Sequence, residues 1–273
     1  MPELPEVEVL RRTLEPHLEG DRIESVLVRE RRLREPVSPQ LSRRLSGRRI
    51  ERLRRRSKYL LVDLDGELTL AVHLGMSGRL TLRPPEMTAE NHEHLVFRLA
   101  SGRDLRFRDP RRFGLVFTVA THRLAEDRHF RHLGAEPLEG GFSGQMLRRR
   151  ARGRRAPVKS FLMDARIVVG IGNIYASEAL YRAGVHPLRS VTRIAAPRWT
   201  AIGASVVGVL SDAIAQGGTT LNDFSDGLGE SGYFQVSLDV YGREGLPCPR
   251  CGASIRRIRQ LGRSTYYCAS CQR

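Results

Sequence analysis

The sequence predicts a multi-domain α+β chain. A short helix leads into an antiparallel β-sandwich or barrel, helices follow, and a small cysteine-bearing hairpin ends the chain. Three observations predict this. Apolar spacing is helical before about residue 18, strand-like from about 21 to 119, and helical again after about 121. Turn pairs, Asp65-Gly66 and Ser101-Gly102, separate short apolar runs. All four cysteines fall in the tail from 236 to 273.

Residues 5–18 read as the first helix, with Pro5 in its first turn and Val7, Leu10, Leu14 and Leu18 as its stripe. Strand-like runs follow at Ile23 to Val28, Tyr59 to Asp63, Leu68 to Leu74, Leu80 to Leu82, Leu95 to Leu99 and Leu105 to Phe107. Short turns between such runs favour antiparallel pairing. Predicted helices cover 123–132, 143–151, 157–165, 173–183 and 196–216, and Gly217-Gly218 stops the last. Residues 222–235, rich in Gly, Ser and Asp, read as a flexible loop. The expected domains are 1–120, 121–235 and 236–273.

The chain has 273 residues, with 46 Lys plus Arg against 30 Asp plus Glu, for a net charge of +16. A hydrophobic content of 40% suffices for a core and excludes a wholly disordered chain. No apolar run is long enough for a membrane span, and the acidic, proline-bearing start is no secretory signal. The positive excess favours a polyanion, nucleic acid before membrane surface. Arginine bias explains part of it, because all but two of the basic residues are Arg. The exceptions, Lys58 and Lys159, are either chance survivors of that bias or positions where an amine that can lose its proton, or a point charge, serves better than a guanidinium. The run Arg148, Arg149, Arg150, Arg152, Arg154 and Arg155 is either a solvated face or a phosphate track.

Cys248-x2-Cys251 and Cys268-x2-Cys271, 16 residues apart, have the spacing of a four-cysteine zinc site. Two disulfides are the competing reading, disfavoured without a secretion signal. Ile255 to Arg259 and Ser264 to Tyr267 read as a hairpin between the knuckles. Arg256, Arg257, Arg259 and Arg263 on it fit a DNA-facing finger. A closed four-thiolate site leaves zinc no open position, so the metal is structural. Other patterns are decoys. Gly227-Leu-Gly229-Glu-Ser-Gly232 matches a dinucleotide fingerprint but lies outside any βαβ unit. His92-Glu93-His94 places two histidines on one strand face without a third ligand, so His92 reads as a polar contact residue. Gly170-Ile-Gly172 before a helix can meet a phosphate without a nucleotide cofactor.

The N-terminus is chemically unusual. A small second residue permits removal of the initiator Met, which leaves Pro2 with a free secondary amine. An α-amino group near pKa 8 is a nucleophile at neutral pH, and its iminium is an electron sink. Glu3 beside it can move a proton. On these residues alone, a stiff helix start is the stronger reading. Pro2-Glu3-Leu4-Pro5-Glu6-Val7-Glu8, however, closely resembles the start of bacterial formamidopyrimidine-DNA glycosylases. The resemblance continues through Lys58-Tyr59-Leu60-Leu61, His73-Leu74-Gly75-Met76-Ser77-Gly78, Asp109-Pro110-Arg111-Arg112-Phe113-Gly114 and Gly170-Ile171-Gly172-Asn173 to Glu178. Gly217 to Thr220, Val240 to Arg243 and the cysteine knuckles complete it, in order along the whole chain.

The resemblance implies an N-terminal β-sandwich, a helix–two-turn–helix domain and a zinc hairpin, with damaged double-stranded DNA in a cleft between the large domains. It implies excision of oxidised purines, 8-oxoguanine and formamidopyrimidines, followed by β,δ-elimination at the abasic sugar. Pro2 is then the Schiff-base nucleophile, Glu3 and Lys58 are catalytic partners, and Arg263 serves elimination and phosphate contact. His92, Arg111, Arg155, Asn173 and Lys159 fall on DNA-binding positions, and Met76, Arg111 and Phe113 on the trio that fills the gap left by the flipped nucleotide. Without the resemblance, Met76 and Phe113 would be assigned to core. Residues 217–235 match the loop that closes over the lesion, but SDGLGESG at 225–232 departs from common members. That departure bears on base selectivity. One structural Zn2+, no nucleotide cofactor, no membrane, a monomer and a cytoplasmic, nucleoid-associated location complete the expectation. The alternatives are an endonuclease VIII-like enzyme for oxidised pyrimidines, which Leu4 and the trio disfavour, and a non-catalytic zinc-containing DNA-binding module.

Overall fold

The computed structural model of the chain describes residues 2–218, 227–228 and 238–273. The chain forms two compact units, Met1–Arg131 with Gln216–Gln235, and His132–Ala215 with Val236–Arg273.

The first unit opens with α1 (Leu4–Leu18). Glu3 and Glu6 form a reciprocal capping box at its start, and the Glu3 N–H donates to Glu6 Oε2 at 2.7 Å. Leu4, Val7, Leu10, Leu14 and Leu18 are the buried stripe. Eight strands follow: β1 (Ile23–Val28), β2 (Ile50–Arg56), β3 (Tyr59–Leu64), β4 (Leu68–His73), β5 (Arg79–Arg83), β6 (Glu93–Leu99), β7 (Asp104–Arg108) and β8 (Leu115–Ala120). They build two antiparallel four-stranded sheets, in the orders β1-β6-β7-β5 and β2-β3-β4-β8. Leucines of both sheets, the α1 stripe and the short helix α2 (Leu41–Leu45) share one core, so the expected sandwich forms.

The second unit holds α3 (Gly144–Ala151), α4 (Val158–Leu162), α5 (Asn173–Arg182) and α6 (Ala196–Ala215), then the hairpin β9 (Ile255–Gln260) and β10 (Arg263–Cys268). Gly144 and Gly203 let α3 and α6 cross closely. A Cβ on Gly144 would lie 2.0 Å from the Trp199 carbonyl oxygen. The hairpin shares a small core with α5, made of Tyr181, Val240, Cys248, Ile255 and Cys268.

Several elements differ from expectation. β2 and β8 were not predicted. β2 carries only Ile50 and Leu53 as buried positions, and Glu51 and four arginines fill the rest of its strand. The predicted helix over 123–132 is a 3-10 turn, Thr121–Glu126. Asp127 then takes extended backbone, and its carboxylate accepts the His129 N–H. α4 stops short of 165 because the Asp164 carboxylate accepts the Arg166 N–H and turns the chain. His92 and His94 do not share a strand face. His92 is exposed in a left-handed turn, φ 67°, before β6, and His94 is buried. Most of the predicted 222–235 loop and most of the lesion-closing segment lie outside the described residues.

Candidate active site and nucleic-acid interface

In the first unit, Pro2 and Glu3 are buried at the positive end of α1. Lys58 occupies the two-residue turn between β2 and β3, where Ser57 takes φ 57°. Arg55 joins these elements. Its Nε lies 3.2 Å from Glu8 Oε2 on α1, and its Nη1 donates to the Ser57 carbonyl at 3.0 Å. The helix that follows Pro2 and the turn bearing Lys58 are thus braced by one guanidinium that is itself buried. Beneath the turn, burial and the Lys58 charge push the His73 pKa down to about 4. The neutral His73 ring accepts the Gly75 N–H on Nδ1 at 3.0 Å.

Gly75 begins the loop that carries Met76. Its φ is 66°, and a Cβ there would lie 2.5 Å from the Phe113 backbone. The β4–β5 loop with Met76 and the β7–β8 loop with Arg111 and Phe113 therefore pack against each other. Asp109, fully buried, holds both. One carboxylate oxygen accepts from Ser77 Oγ (2.9 Å) and the Arg111 N–H (3.3 Å), the other from the Gly114 N–H (2.7 Å). Its backbone N–H donates to the His92 carbonyl at 3.0 Å, and its carbonyl meets His94 Nε2 at 2.8 Å. Around this buried aspartate the side chains of the two loops stay out in solvent. Met76 is 36% exposed and Phe113 43%, and the Arg111 guanidinium lies over the Phe113 ring, 4.8 Å from its centroid. An apolar wedge and a cation-capped ring are what an unstacked base step needs to stay filled. Asp109 escaped the sequence reading as a site residue. Its one signal was its place at the head of a Pro- and Gly-bearing block.

In the second unit, Asn173 is the first residue of α5, after the extended Gly172. Lys159 is buried, 2% exposed. Its ammonium donates to Asn173 Oδ1 (2.6 Å) and Thr265 Oγ1 (2.7 Å), and Asn173 Nδ2 donates to the Ser264 carbonyl at 2.9 Å. The lysine thus ties α4, α5 and β10 together from inside. Arg155 and Arg263 are exposed, Arg263 at the first position of β10.

The four cysteine Sγ atoms lie within 4.8 Å of one another. Cys248 to Cys271 is 3.9 Å and Cys251 to Cys268 is 3.5 Å, too long for disulfides. A tetrahedron with metal–sulfur bonds of about 2.3 Å has edges of roughly 3.8 Å, so the donor set fits zinc. Hydrogen bonding to Cys251 and burial push the Cys271 thiol up to about 12. Four thiolates this close require a cation among them. The Tyr181 hydroxyl of α5 lies 3.2 Å from Cys248 Sγ and joins the finger to the helices.

Family profiles match this architecture along the chain. The formamidopyrimidine-DNA glycosylase N-terminal domain matches residues 1–116, its H2TH domain 133–225, and the zinc finger found in FPG and IleRS 245–273. A formamidopyrimidine-DNA glycosylase of Acidithiobacillus ferrooxidans is 52% identical over 275 residues, covering all of both chains. The chain belongs to the formamidopyrimidine-DNA glycosylase family. One of Ruegeria pomeroyi is 49% identical, again over the full length of both. Among solved structures, a Lactococcus lactis Fpg variant in complex with DNA containing Fapy-dG is 32% identical, with a TM-score of 0.93 and full coverage of both chains. The Thermus thermophilus protein is 38% identical with a TM-score of 0.88, covering 99% of this chain and 98% of that one. Membership makes this chain a base-excision-repair DNA glycosylase with abasic-site lyase activity, a DNA partner and one structural zinc. Among the described residues, no helix is long and apolar enough to cross a membrane.

Proposed function

We propose that the chain excises oxidised purines through Pro2. With Met1 removed, the Pro2 nitrogen attacks C1′, the glycosidic bond breaks, and the base leaves with a proton. The sugar ring opens to an iminium. That iminium draws electrons from C2′, which loses a proton as the 3′ C–O bond breaks, and the 5′ phosphate leaves in a second elimination. Glu3 moves the proton at the sugar, Lys58 assists at the same centre, and Arg263 holds phosphate during elimination. Met76, Arg111 and Phe113 fill the vacated stack. Arg155, His92 and Asn173 meet the backbone, with Asn173 doing so at a helix N-terminus. Lys159 serves that contact from within, by fixing Asn173. We further assign monomeric action without a nucleotide cofactor, in the cytoplasm on nucleoid DNA, and three functional segments, 1–120, 121–235 and 236–273.

The observation that carries this reading is the Arg111–Phe113 stack beside exposed Met76, all gripped by Asp109. It favours a nucleotide-flipping enzyme over a binding module, which needs no gap filler. A second reading, oxidised pyrimidines, has one support: Lactococcus lactis Fpg has been solved in complex with DNA containing an oxidised pyrimidine. One experiment tests both. Duplexes with 8-oxoguanine opposite cytosine, or with an oxidised pyrimidine, are incubated with protein and borohydride, and the trapped residue is identified by mass spectrometry. We expect an adduct at Pro2 and faster trapping on 8-oxoguanine. Pro2→Gly should lower trapping and excision at least roughly a hundredfold. Intact excision by that variant would refute the nucleophile. No adduct on either duplex with folded, zinc-loaded, Met1-free protein would favour the binding module.

A further inference from the structure

The connection from β5 to β6 is a crossover. Both strands pair with β7, one on each side, so residues 84–92 carry the chain from beside Asp104 to beside Arg108. The inward side chains of β7, Leu105 and Phe107, belong to the sandwich core. Alternation puts Asp104, Arg106 and Arg108 on the opposite face, under the crossover. Contacts there follow chain order. The Arg106 guanidinium donates from Nη2 to the carbonyls of Pro84 (3.2 Å) and Pro85 (3.1 Å), and from Nη1 to that of Met87 (2.9 Å). Arg108 Nε donates to the Asn91 carbonyl at 2.9 Å, and the next carbonyl, that of His92, accepts the Asp109 N–H. The crossover is thus fastened through its backbone carbonyls from its first residue to its last, and the last is His92.

This fastening does little for the core. Every residue from 84 to 92 is exposed. Arg106 and its partners Asp104 and Glu93 are nevertheless buried, with Nη2 3.1 Å from the Asp104 carboxylate and Nη1 3.6 Å from that of Glu93. Taking three charged groups out of water to hold an exposed segment is an unfavourable way to stabilise a fold. Arg106 Nε and Glu93 Oε1 are even buried without a hydrogen bond. What the arrangement does fix is the end of the crossover. His92 is exposed at φ 67°, a left-handed conformation that a non-glycine residue keeps where its surroundings impose it.

We propose that Arg106 is a positioning residue for the DNA contact of His92: the buried guanidinium holds the crossover so that the imidazole meets the DNA backbone from one fixed place. This rests on the reading of His92 as a DNA-contact residue. A double-mutant cycle tests it on full-length, zinc-loaded protein. Kd for an abasic-site-analogue duplex would be measured for wild type, His92→Ala, Arg106→Gln and the double variant, each corrected for its folded fraction. The single variants should each raise Kd roughly fivefold or more. The double variant should bind within about twofold of His92→Ala, because one contact cannot be lost twice. Arg106→Lys keeps the charge but not the fork, so it should also weaken binding only where His92 is present. It carries the same cycle should Arg106→Gln not fold. A purely structural role would give factors that multiply in the double variant. Multiplying factors, Arg106 variants that bind within about twofold of wild type, or failure of both Arg106 variants to fold would each overturn the assignment. His92→Ala binding like wild type would instead overturn the reading of His92, and this proposal with it.

Discussion

Phe113 and Met76 show how a residue's chemistry is reassigned by its place. By composition both belong in a core, yet both are substantially exposed and held there by loops that a buried aspartate pins. Phe113→Ala should therefore leave the melting temperature near wild type. It should weaken binding to an abasic duplex by about 1–3 kcal/mol, measured by titration, as one stacked ring is lost. His73 carries the opposite consequence. Its pKa in the folded chain, about 4, lies below the ordinary 6.5, so the unfolded chain binds the extra proton between those values. Stability from keeping His73 neutral is complete above about pH 6.5 and is lost as pH falls toward 4. The loss is at most roughly 3 kcal/mol. Urea unfolding at pH 7 and pH 4.5 should show a smaller drop for His73→Gln than for wild type. The cysteines were legible in the sequence because thiols have few structural uses at such spacings, whereas the role of Pro2 came only from the family resemblance, and that of Lys58 from the rarity of lysine together with it. Asp109 was not, because a buried carboxylate is recognised only by the donors folded around it.

Elements were legible where their periodicity was strong. α1, β1, α5 and α6 lie within a residue or so of their expected limits, each with an apolar stripe or run. β2 was hidden because its arginines answer to other elements: Arg54 pairs with Asp63 across the β2–β3 hairpin and Arg55 with Glu8 on α1. The 3-10 turn at Thr121–Glu126 was overpredicted because local side-chain bonding at Asp127 ends the helix. Lys159 works at this scale. It sits inside the junction of α4, α5 and β10, with a side chain only 2% exposed. Lys159→Met would leave Asn173 and the fully buried Thr265 short of a partner. It should cost about 1–3 kcal/mol in denaturant unfolding, with faster amide exchange along β10. An unchanged unfolding midpoint would reject the strut.

At the scale of the whole molecule, zinc replaces a core that the finger is too small to bury. Its few apolar groups are spent against Tyr181 and Val240. Chelation should unfold the hairpin while leaving the sandwich folded, seen as selective loss of amide protection over 245–273, and should weaken DNA binding. Unchanged binding after verified zinc loss would remove the finger from the interface. The sequence by itself determined the alternation of helix and strand, the metal site and the family. Periodicity, knuckle spacing and ordered motifs are local properties that survive without coordinates. Tertiary structure decided which residues became partners across the chain: Glu8 with Arg55, Asp109 with two loops, Lys159 with the finger. Those contacts join positions from 5 to 106 residues apart. Their strength comes from burial and directed hydrogen bonds, which no local pattern encodes.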